Sequence, residues 1–376
     1  MNNRVYKYFF YEFLRYFFTV LFAIAAIIWT IQAVNFLDLI TDDGHAFGVY
    51  TFYSFLLIPK IITKLIPFAF LISLIIVINK FEKDNELIAL WTSGLNKIFI
   101  VHLVFRISLF VALIQILFTC FITPETLNVS RSLLKNSQLQ FIPSLLKEKI
   151  FNDTVKGLTI FVERKNSDGS FKNIFIEDEG QTLTNVSTGA TGSAIFAKSG
   201  YVASDDKSLV LYDGSIQKSN AENRISIVKF EKTIINLSNL STKTITEPKI
   251  QETSTKNIIN CIKDKNEYLN NCNVEEEYQK DLVIEINKRF GMPFYLPVVG
   301  LMICFLLSTR RDKKISSYNK FIYFALSFII LVCSEISVRY SGNSFNHTLV
   351  YYIIPISLFP ITYLLLIRSF KYENLN

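Results

Sequence analysis

Two lysines occupy a segment that is otherwise apolar enough to span a membrane. Lys60 and Lys64 lie one helical turn apart within residues 51–79, so they share one face of the helix that this segment predicts. An ionisable group near the centre of a bilayer costs about 2.5 to 3.5 kcal/mol, which disfavours a position facing lipid. Two interpretations remain open: the lysines line a cavity and bind lipid phosphates, or the helix tilts and both side chains reach the headgroup region.

Two further groups of charged residues have a spacing that could support chemistry. Glu335 and Arg339 lie one turn apart near the outer end of a later apolar segment. They form an intrahelical ion pair, or Arg339 binds an anionic substrate that enters from the outer leaflet. Asp38, Asp42 and Asp43 follow the first apolar segment. They form a solvated acidic loop, or they are acid–base or metal-binding groups of a polytopic glycosyltransferase that acts on a lipid-linked sugar.

The sequence lacks the short motifs of several enzyme classes. It contains no GxxxxGK[ST] loop for nucleotide phosphates, no HExxH or CxxC pair for a metal and no GxSxG elbow for a nucleophile. Its three histidines, His45, His102 and His347, belong to different segments. We therefore expect no catalytic residue, no metal site and no cofactor in this chain.

The composition is typical of a membrane protein. Of the 376 residues, 50% are hydrophobic and only 19% are charged, compared with about 25% charged residues in soluble domains. The net charge of +7 lies outside residues 125–290, which contain 22 basic and 22 acidic residues. Basic residues that flank apolar segments follow the positive-inside rule, so the charge requires no nucleic-acid partner.

Six segments are long enough to cross about 30 Å of hydrocarbon as helices. Three precede and three follow a long polar region, with approximate bounds 17–37, 51–79, 98–122, 292–309, 321–340 and 348–367. The connections on one side carry 13 lysines and arginines, and those on the other side carry one. This asymmetry predicts that both termini are cytoplasmic and that residues 123–291 lie outside, in the periplasm of a Gram-negative cell.

The polar region has the periodicity of strands. Short runs rich in β-branched and aromatic residues predict strands at 157–163, 171–176, 193–197, 208–212 and 225–230. Clusters of Asn, Asp and Gly predict turns at 166–169, 205–206 and 213–214. The predicted fold class is therefore α+β, with six transmembrane helices in two groups of three and an inserted periplasmic antiparallel β-sandwich or jellyroll.

Helical periodicity returns in residues 253–289, with a break at Asn270 and Asn271. In a continuous helix, Cys261 and Cys272 would lie about 16 Å apart, beyond the roughly 7 Å Cα limit for a disulfide. They are joined if the chain folds back at the asparagine pair, and otherwise they are free thiols.

The loop between the second and third segments predicts a short amphipathic helix. Its start is acidic at Asp84, and Gly94 supplies a C-terminal stop. Between them, apolar residues recur at helical spacing: Leu87, Leu90 and Trp91. This helix either lies at the membrane interface or is the site at which a cytoplasmic partner binds the membrane domain.

The order of these elements resembles the LptF/LptG family of lipopolysaccharide export permeases, along essentially the whole chain. The stretches that carry the resemblance are 85–97 in the loop, 161–163 and 169–175 in the strands, and 285–289 before the fourth segment. Stretch 169–175 and the uncharged first segment, which offers only Gln32 and Asn35, are more similar to LptF than to LptG.

The resemblance implies a non-catalytic transport subunit of the bacterial inner membrane. It implies that ATP and Mg are bound by a separate LptB ATPase dimer, which meets the loop glutamate. The chain would pair with LptG, take lipopolysaccharide from the outer leaflet, and pass it through the jellyroll to LptC and LptA. The candidate site residues are Glu86, Leu87, Leu90 and Gly94 for ATPase coupling, and Lys60, Lys64, Arg339, Ile160 and Phe175 for the lipid.

Four domains are predicted from this reading. Residues 1–122 hold transmembrane helices 1 to 3 with the coupling helix at 84–94, and residues 123–252 form the periplasmic jellyroll. Residues 253–291 form a helical connector, and residues 292–376 hold helices 4 to 6.

Overall fold

The computed structural model describes most of the chain. It covers residues 2–37, 47–137, 148–155, 157–166, 169–178, 192–203, 208–219, 225–236, 249–264, 276–308 and 313–374. The described residues do not include Asp38, Asp42, Asp43, His45, Asn270, Asn271, Cys272, the predicted turn at 205–206, or residues 167–168 of the predicted turn at 166–169. The chain divides into two compact units: a helical unit of residues 1–30, 57–127 and 249–376, and a sheet unit of residues 31–56 and 128–248.

Six helical stretches in the described residues are long and apolar enough to span a membrane, three before the strands and three after them. We name them TM1 to TM6, and they are Arg4–Asn35, Phe47–Lys83, Lys97–Leu134, Glu277–Ser308, Tyr318–Tyr340 and Phe345–Lys371. Each overlaps one of the six predicted segments. The chain is therefore a multi-pass membrane protein.

Several of the spanning stretches consist of more than one helix. They are α1 Asn2–Asn35, α2 Phe47–Leu56, α3 Ile58–Lys83, α4 Glu86–Thr92, α5 Lys97–Leu117, α6 Thr123–Ser137, α7 Thr255–Asp264, α8 Glu276–Gly291, α9 Tyr295–Cys304, α10 Lys313–Tyr340 and α11 Phe345–Asn374. A π-helical turn, Phe118–Ile122, joins α5 to α6. Short 3₁₀ turns occur at Ile250–Glu252, Met292–Phe294 and Phe305–Ser308. The predicted third and fourth segments are too short because their polar extensions are also helical.

TM4 is the central helix of the helical unit. In its most apolar window 78% of the residues are buried, compared with 17% in TM1 and 22% in TM5 and TM6. A helix that is apolar on all sides is expected to be buried on all sides. Gly300 on α9 allows close approach, since a Cβ added there would lie 3.3 Å from Val104 on α5 and 3.4 Å from Phe70 on α3.

The connector consists of α7 and α8, which share a small apolar cluster that includes Cys261 and Leu282. Cys261 is buried and disulfide-bonded. The free-thiol alternative is therefore wrong for Cys261. The free cysteines of the described residues are Cys120, Cys304 and Cys333.

Six strands form one antiparallel sheet in which spatial order follows chain order. They are β1 Phe151–Val155, β2 Leu158–Lys165, β3 Ser170–Asp178, β4 Gly192–Val202, β5 Ser208–Ser219 and β6 Ile225–Asn236. The five predicted runs fall in β2 to β6, and β1 is additional. The α+β fold class with an inserted antiparallel β domain is confirmed. The described strands form a meander, and the crossed connections of a jellyroll do not occur among them.

One row of residues bends the sheet. Asn173 in β3 and Asp213 in β5 both have a φ of 49°, with Lys198 of β4 between them, and the pairing is interrupted there without a change of register. After glycine, Asn and Asp adopt this left-handed conformation most readily. The alternation of buried and exposed residues in β3 also shifts by one position at this row: Phe171 and Ile174 are both buried although they are three residues apart.

The predicted turn at Asp213 and Gly214 is wrong, because both residues lie inside β5. Gly214 pairs with Ala197 of β4 and with Phe230 of β6. A Cβ at Gly214 would lie 2.2 Å from the carbonyl oxygen of Phe196, so the close approach of the two strands requires glycine. The Asp-Gly pair therefore supplies a bend within a strand rather than a hairpin loop.

Candidate functional site

The short helix α4 has the predicted termination. Asn85 precedes it with a φ of 57°, and Gly94 follows it with a φ of 86°. The backbone N–H of Leu95 donates to the carbonyl of Leu90 at 3.2 Å, and the N–H of Gly94 donates to that of Trp91 at 3.1 Å. These bonds satisfy carbonyls that the helix end would otherwise leave free, so the glycine acts as a helix stop.

The apolar residues of α4 divide between its two faces. Leu87 is 7% exposed and belongs to the core of the helical unit, and Leu90 and Trp91 pack against that core. Ile88 is 41% exposed. Leu87 and Leu90 therefore attach α4 to the membrane helices, whereas Ile88, which sequence reasoning missed, lies on the accessible face with Ala89 and the turn after it.

Glu86 is held by a residue from the start of TM1. The hydroxyl of Tyr8 donates to Oε1 of Glu86 at 3.0 Å. One turn further along TM1, buried Glu12 pairs with Lys80 at the end of α3, with 2.8 Å between Oε2 and Nζ. Sequence reasoning missed both contacts because Glu12 precedes the predicted segment at 17–37; the available signal was a lone carboxylate among the aromatic residues that lead into that segment.

At the other end of α3, four cations line one cleft of about 60 Å³. The predicted pair Lys60 and Lys64 lies on one wall, and Lys288 and Arg289 of α8 lie on another. Hydroxyls complete the lining, with Thr63 and Thr123 hydrogen-bonded to each other at 2.8 Å; the other lining residues are Thr119, Leu127, Gln251 and Glu285. The structure therefore brings Lys60 and Lys64 together with basic residues that the sequence pattern did not connect to them.

Two of these four cations are already neutralised. Arg289 Nε lies 3.0 Å from Oε1 of Glu285, and Lys288 Nζ lies 3.3 Å from Oε1 of Glu335. Among the described residues, no carboxylate is within 4.0 Å of the amino group of Lys60 or Lys64. Lys60 is half-buried and Lys64 is exposed, so the cleft carries surplus positive charge that is open at Lys64.

Arg289 is the most heavily bonded side chain of this region and was not predicted. It is 2% exposed, and besides Glu285 it donates to the hydroxyl of Thr255 at 2.8 Å. It also donates to the backbone carbonyls of Thr253 and Gln251, at 3.0 and 3.3 Å. The arginine thus joins α8 to the chain segment that begins α7.

The same junction includes the π-helical turn of TM3. Thr255 donates to the carbonyl of Cys120 at 2.7 Å, and Thr119 donates to the carbonyl of Arg289 at 3.1 Å. A π-helical turn displaces carbonyls from the regular helical ladder, which makes them available to partners outside the helix. TM3, α7 and α8 are therefore connected through polar groups in one place.

The intrahelical pairing of Glu335 with Arg339 is not observed. Glu335 pairs instead with Lys288, and among the described residues no carboxylate lies within ion-pair distance of Arg339. The interhelical contact brings opposite charges from TM5 and α8 together and leaves the exposed arginine available. Arg339 does not line the cleft that contains Lys60 and Lys64.

The two predicted lipid contacts of the sheet lie on opposite faces. Ile160 is 2% exposed, belongs to the sheet core and pairs with Ile176. Phe175 precedes Ile176, so its side chain points to the other face. There it lies in a row of aromatic rings that crosses four strands: Phe151, Phe161, Phe175 and Phe196.

These features can be compared with known proteins. A family described as Lipopolysaccharide export system permease LptF/LptG matches residues 7–369. The chain belongs to the LptF/LptG family. Its members are permease components of lipopolysaccharide export by that description. A protein of Rickettsia prowazekii (strain Madrid E), named Uncharacterized protein RP871, is 28% identical over 247 residues. The similarity covers 63% of this chain and 64% of that protein, which is just under two thirds of its length.

The matched residues 7–369 include both α4 and the residues of the basic cleft, so both lie within the part of the chain that the family covers. Metal-binding groups of three or more His, Cys, Asp or Glu side chains are absent from the residues that the structure describes. The arrangement is suited to binding and moving a ligand: it offers a basic cleft, an apolar sheet and a short helix with an accessible face.

Proposed function

We propose that this chain is a transmembrane subunit of an ABC-type lipopolysaccharide exporter in the bacterial inner membrane. It takes lipopolysaccharide from the outer leaflet and passes it through its periplasmic β domain toward the outer membrane. The match of the family across residues 7–369 is the observation that carries the proposal. The chain itself has no catalytic role, and a separate LptB ATPase dimer binds ATP and Mg.

The basic cleft is the proposed point of contact with the charged part of the lipid. Lipopolysaccharide is an anionic lipid. The amino groups of Lys60 and Lys64, which have no carboxylate partner among the described residues, are suited to phosphate oxygens. Lys64 is exposed and Lys60 is half-buried beside hydroxyls, so a phosphate can enter without breaking an existing ion pair. Arg339 is a second, separate candidate on TM5.

The sheet is the proposed path for the acyl chains. Removing each CH₂ group from water contributes about 0.8 kcal/mol, so a lipid with several acyl chains needs an apolar protein surface to shield them on the way across the periplasm. The buried residues of the sheet are mainly aliphatic, and the opposite face carries the row of phenylalanines that includes Phe175. Ile160 and Phe175 therefore remain candidate contacts for the acyl chains, on opposite faces of the sheet.

The accessible face of α4 is the proposed contact with the ATPase. Glu86 supplies a carboxylate and Ile88 an exposed apolar side chain, while Leu87, Leu90 and the Gly94 stop fix the helix to the membrane domain. Because α4 is rigidly attached in this way, a movement of the ATPase is transmitted to the membrane helices. We propose LptG as the second membrane subunit of the complex.

The last strand of the described sheet is the proposed attachment point for LptC and, beyond it, LptA. β6 is 12 residues long and among the described strands pairs with β5 alone. Its exposed apolar residues are Ile227, Val228 and Ile234. A long edge strand can be extended by a strand of another chain through backbone hydrogen bonds.

Copurification and lipid titration test this proposal. We expect the native complex to contain an ATPase and a second permease subunit, with ATPase activity stimulated by lipopolysaccharide in proteoliposomes. Replacing both Lys60 and Lys64 by Gln should lower the apparent affinity for lipopolysaccharide about tenfold or more, since each phosphate contact to a cation is lost. Lys280→Gln, an exposed lysine of α8 outside the cleft, is the matched control. Equal affinities in the two variants would contradict the lipid-binding role of the cleft.

A further inference from the structure

Three residues of TM1 form a polar stripe on one helical face. Tyr8, Glu12 and Tyr16 are spaced four apart, so they lie above one another along the helix. Tyr8 bonds Glu86 at the first residue of α4, and Glu12 pairs with Lys80 near the end of α3. The amino group of Lys80 also lies 5.7 Å from the ring centre of Tyr16. Tyr8 thus contacts α4 itself, whereas Glu12 and Tyr16 contact Lys80 in the last turns of α3, which lead into α4.

TM1 is packed mainly at this same end. Phe9, Phe13 and Phe17 are buried in the core beside the polar stripe. The buried face continues to Leu21 and Ala25, and beyond them Ile27 and Ile31 are exposed; only 17% of the most apolar window of TM1 is buried. The contacts near α4 are therefore one part of the attachment of TM1 to the rest of the helical unit.

From this arrangement we infer that Tyr8 is a positioning residue that orients the carboxylate of Glu86 and couples TM1 to the movement of α4. The inference rests on the proposed function, in which a cytoplasmic ATPase contacts Glu86. A carboxylate has two acceptor oxygens. Tyr8 bonds Oε1, which restrains the side chain and leaves Oε2 for a cationic or N–H donor of the partner.

The hydroxyl of Tyr8 has little structural role of its own. Tyr8 is 44% exposed, so water can replace either partner of the bond. Its ring contacts the ring of Phe81 edge-on, with 5.4 Å between centroids, and a phenylalanine at position 8 keeps that contact. Tyr8→Phe therefore removes one hydrogen bond and is expected to leave the fold intact.

The test uses the full exporter complex with Tyr8→Phe and, as matched control, Tyr11→Phe. Tyr11 lies on the same helix and is 67% exposed. We expect Tyr8→Phe to keep the ATPase subunit bound and to keep the melting temperature, but to lower lipopolysaccharide release per ATP hydrolysed by about three- to tenfold, the effect of one lost hydrogen bond. In a Glu86→Ala background, Tyr8→Phe should have no additional effect, because its acceptor is gone.

A distance measurement reports the coupling directly. Spin labels on Lys7→Cys and Thr92→Cys, both exposed positions, measure the separation of TM1 from α4. We expect a broader distance distribution when Tyr8 is Phe than when Tyr11 is Phe. The inference is overturned if both variants give the same transport ratio and the same distribution, or if the effects of Tyr8→Phe and Glu86→Ala multiply. Absence of any ATPase from the wild-type complex would instead refute the proposed function.

Discussion

Removing the guanidinium of Arg289 should release α7 from the membrane helices. Arg289 is 2% exposed and makes one ion pair and three further hydrogen bonds, to Glu285, Thr255, Thr253 and Gln251. The ion pair with Glu285 lies within α8, so α7 is held by the three hydrogen bonds to residues 251–255. Such bonds contribute about 1 to 1.5 kcal/mol each, or about 3 to 4 kcal/mol together. We therefore expect Arg289→Met to destabilise the attachment of α7 by about that amount.

Hydrogen exchange measures this loss locally. Since each 1.4 kcal/mol corresponds to a factor of ten, backbone amides in residues 249–264 should exchange about 10² to 10³ times faster in Arg289→Met. Lys256→Met is the matched control, because Lys256 is an exposed cation on α7 itself. If both variants exchange at the wild-type rate, the hydrogen bonds of Arg289 do not hold α7 and the prediction is wrong.

Two glycines and the two faces of the sheet give further predictions. Gly291→Ala should destabilise the helical unit by about 1 to 3 kcal/mol, visible as a lower melting temperature in detergent, because the new Cβ would lie 2.2 Å from Cε1 of Tyr351. Gly94→Ala should cost about 1 to 2 kcal/mol at the end of α4, because φ is 86° there, and faster amide exchange in α4 would register it. Photocrosslinkers at Ile160 and Phe175 probe opposite faces of the sheet, so capture of lipopolysaccharide at neither position would contradict the proposed acyl path.

Features that depend on short stretches of sequence were predictable. The spanning helices follow from apolar length, the strands β2 to β6 from their alternation and composition, and the end of α4 from Gly94. The local signal failed where a neighbouring strand decides the conformation. Asp213 and Gly214 have the composition of a hairpin, but Tyr212 and Gly214 on either side of Asp213 pair with both β4 and β6, which keeps the two residues inside a strand.

The polar junctions could not be predicted because their partners are distant in sequence. Arg289 resembles any arginine at the end of an amphipathic helix, and only the fold brings Thr255 and the carbonyls before it to the guanidinium. Glu335 has an arginine one turn away, yet it pairs with Lys288 of another helix. Spacing within one helix shows which charged side chains could form a pair, but the packing between helices determines which pairs form.

The bent row of the sheet restricts how this domain can change in length during evolution. Asn173, Lys198 and Asp213 must stay side by side, since the interrupted pairs of three adjacent strands coincide there. A single-residue deletion between the row and either end of one strand would shift the register of that strand against both neighbours. Its buried side chains would then point to the exposed face. Insertions and deletions should therefore accumulate in the connections between strands, and the strands themselves should keep their lengths on either side of the row.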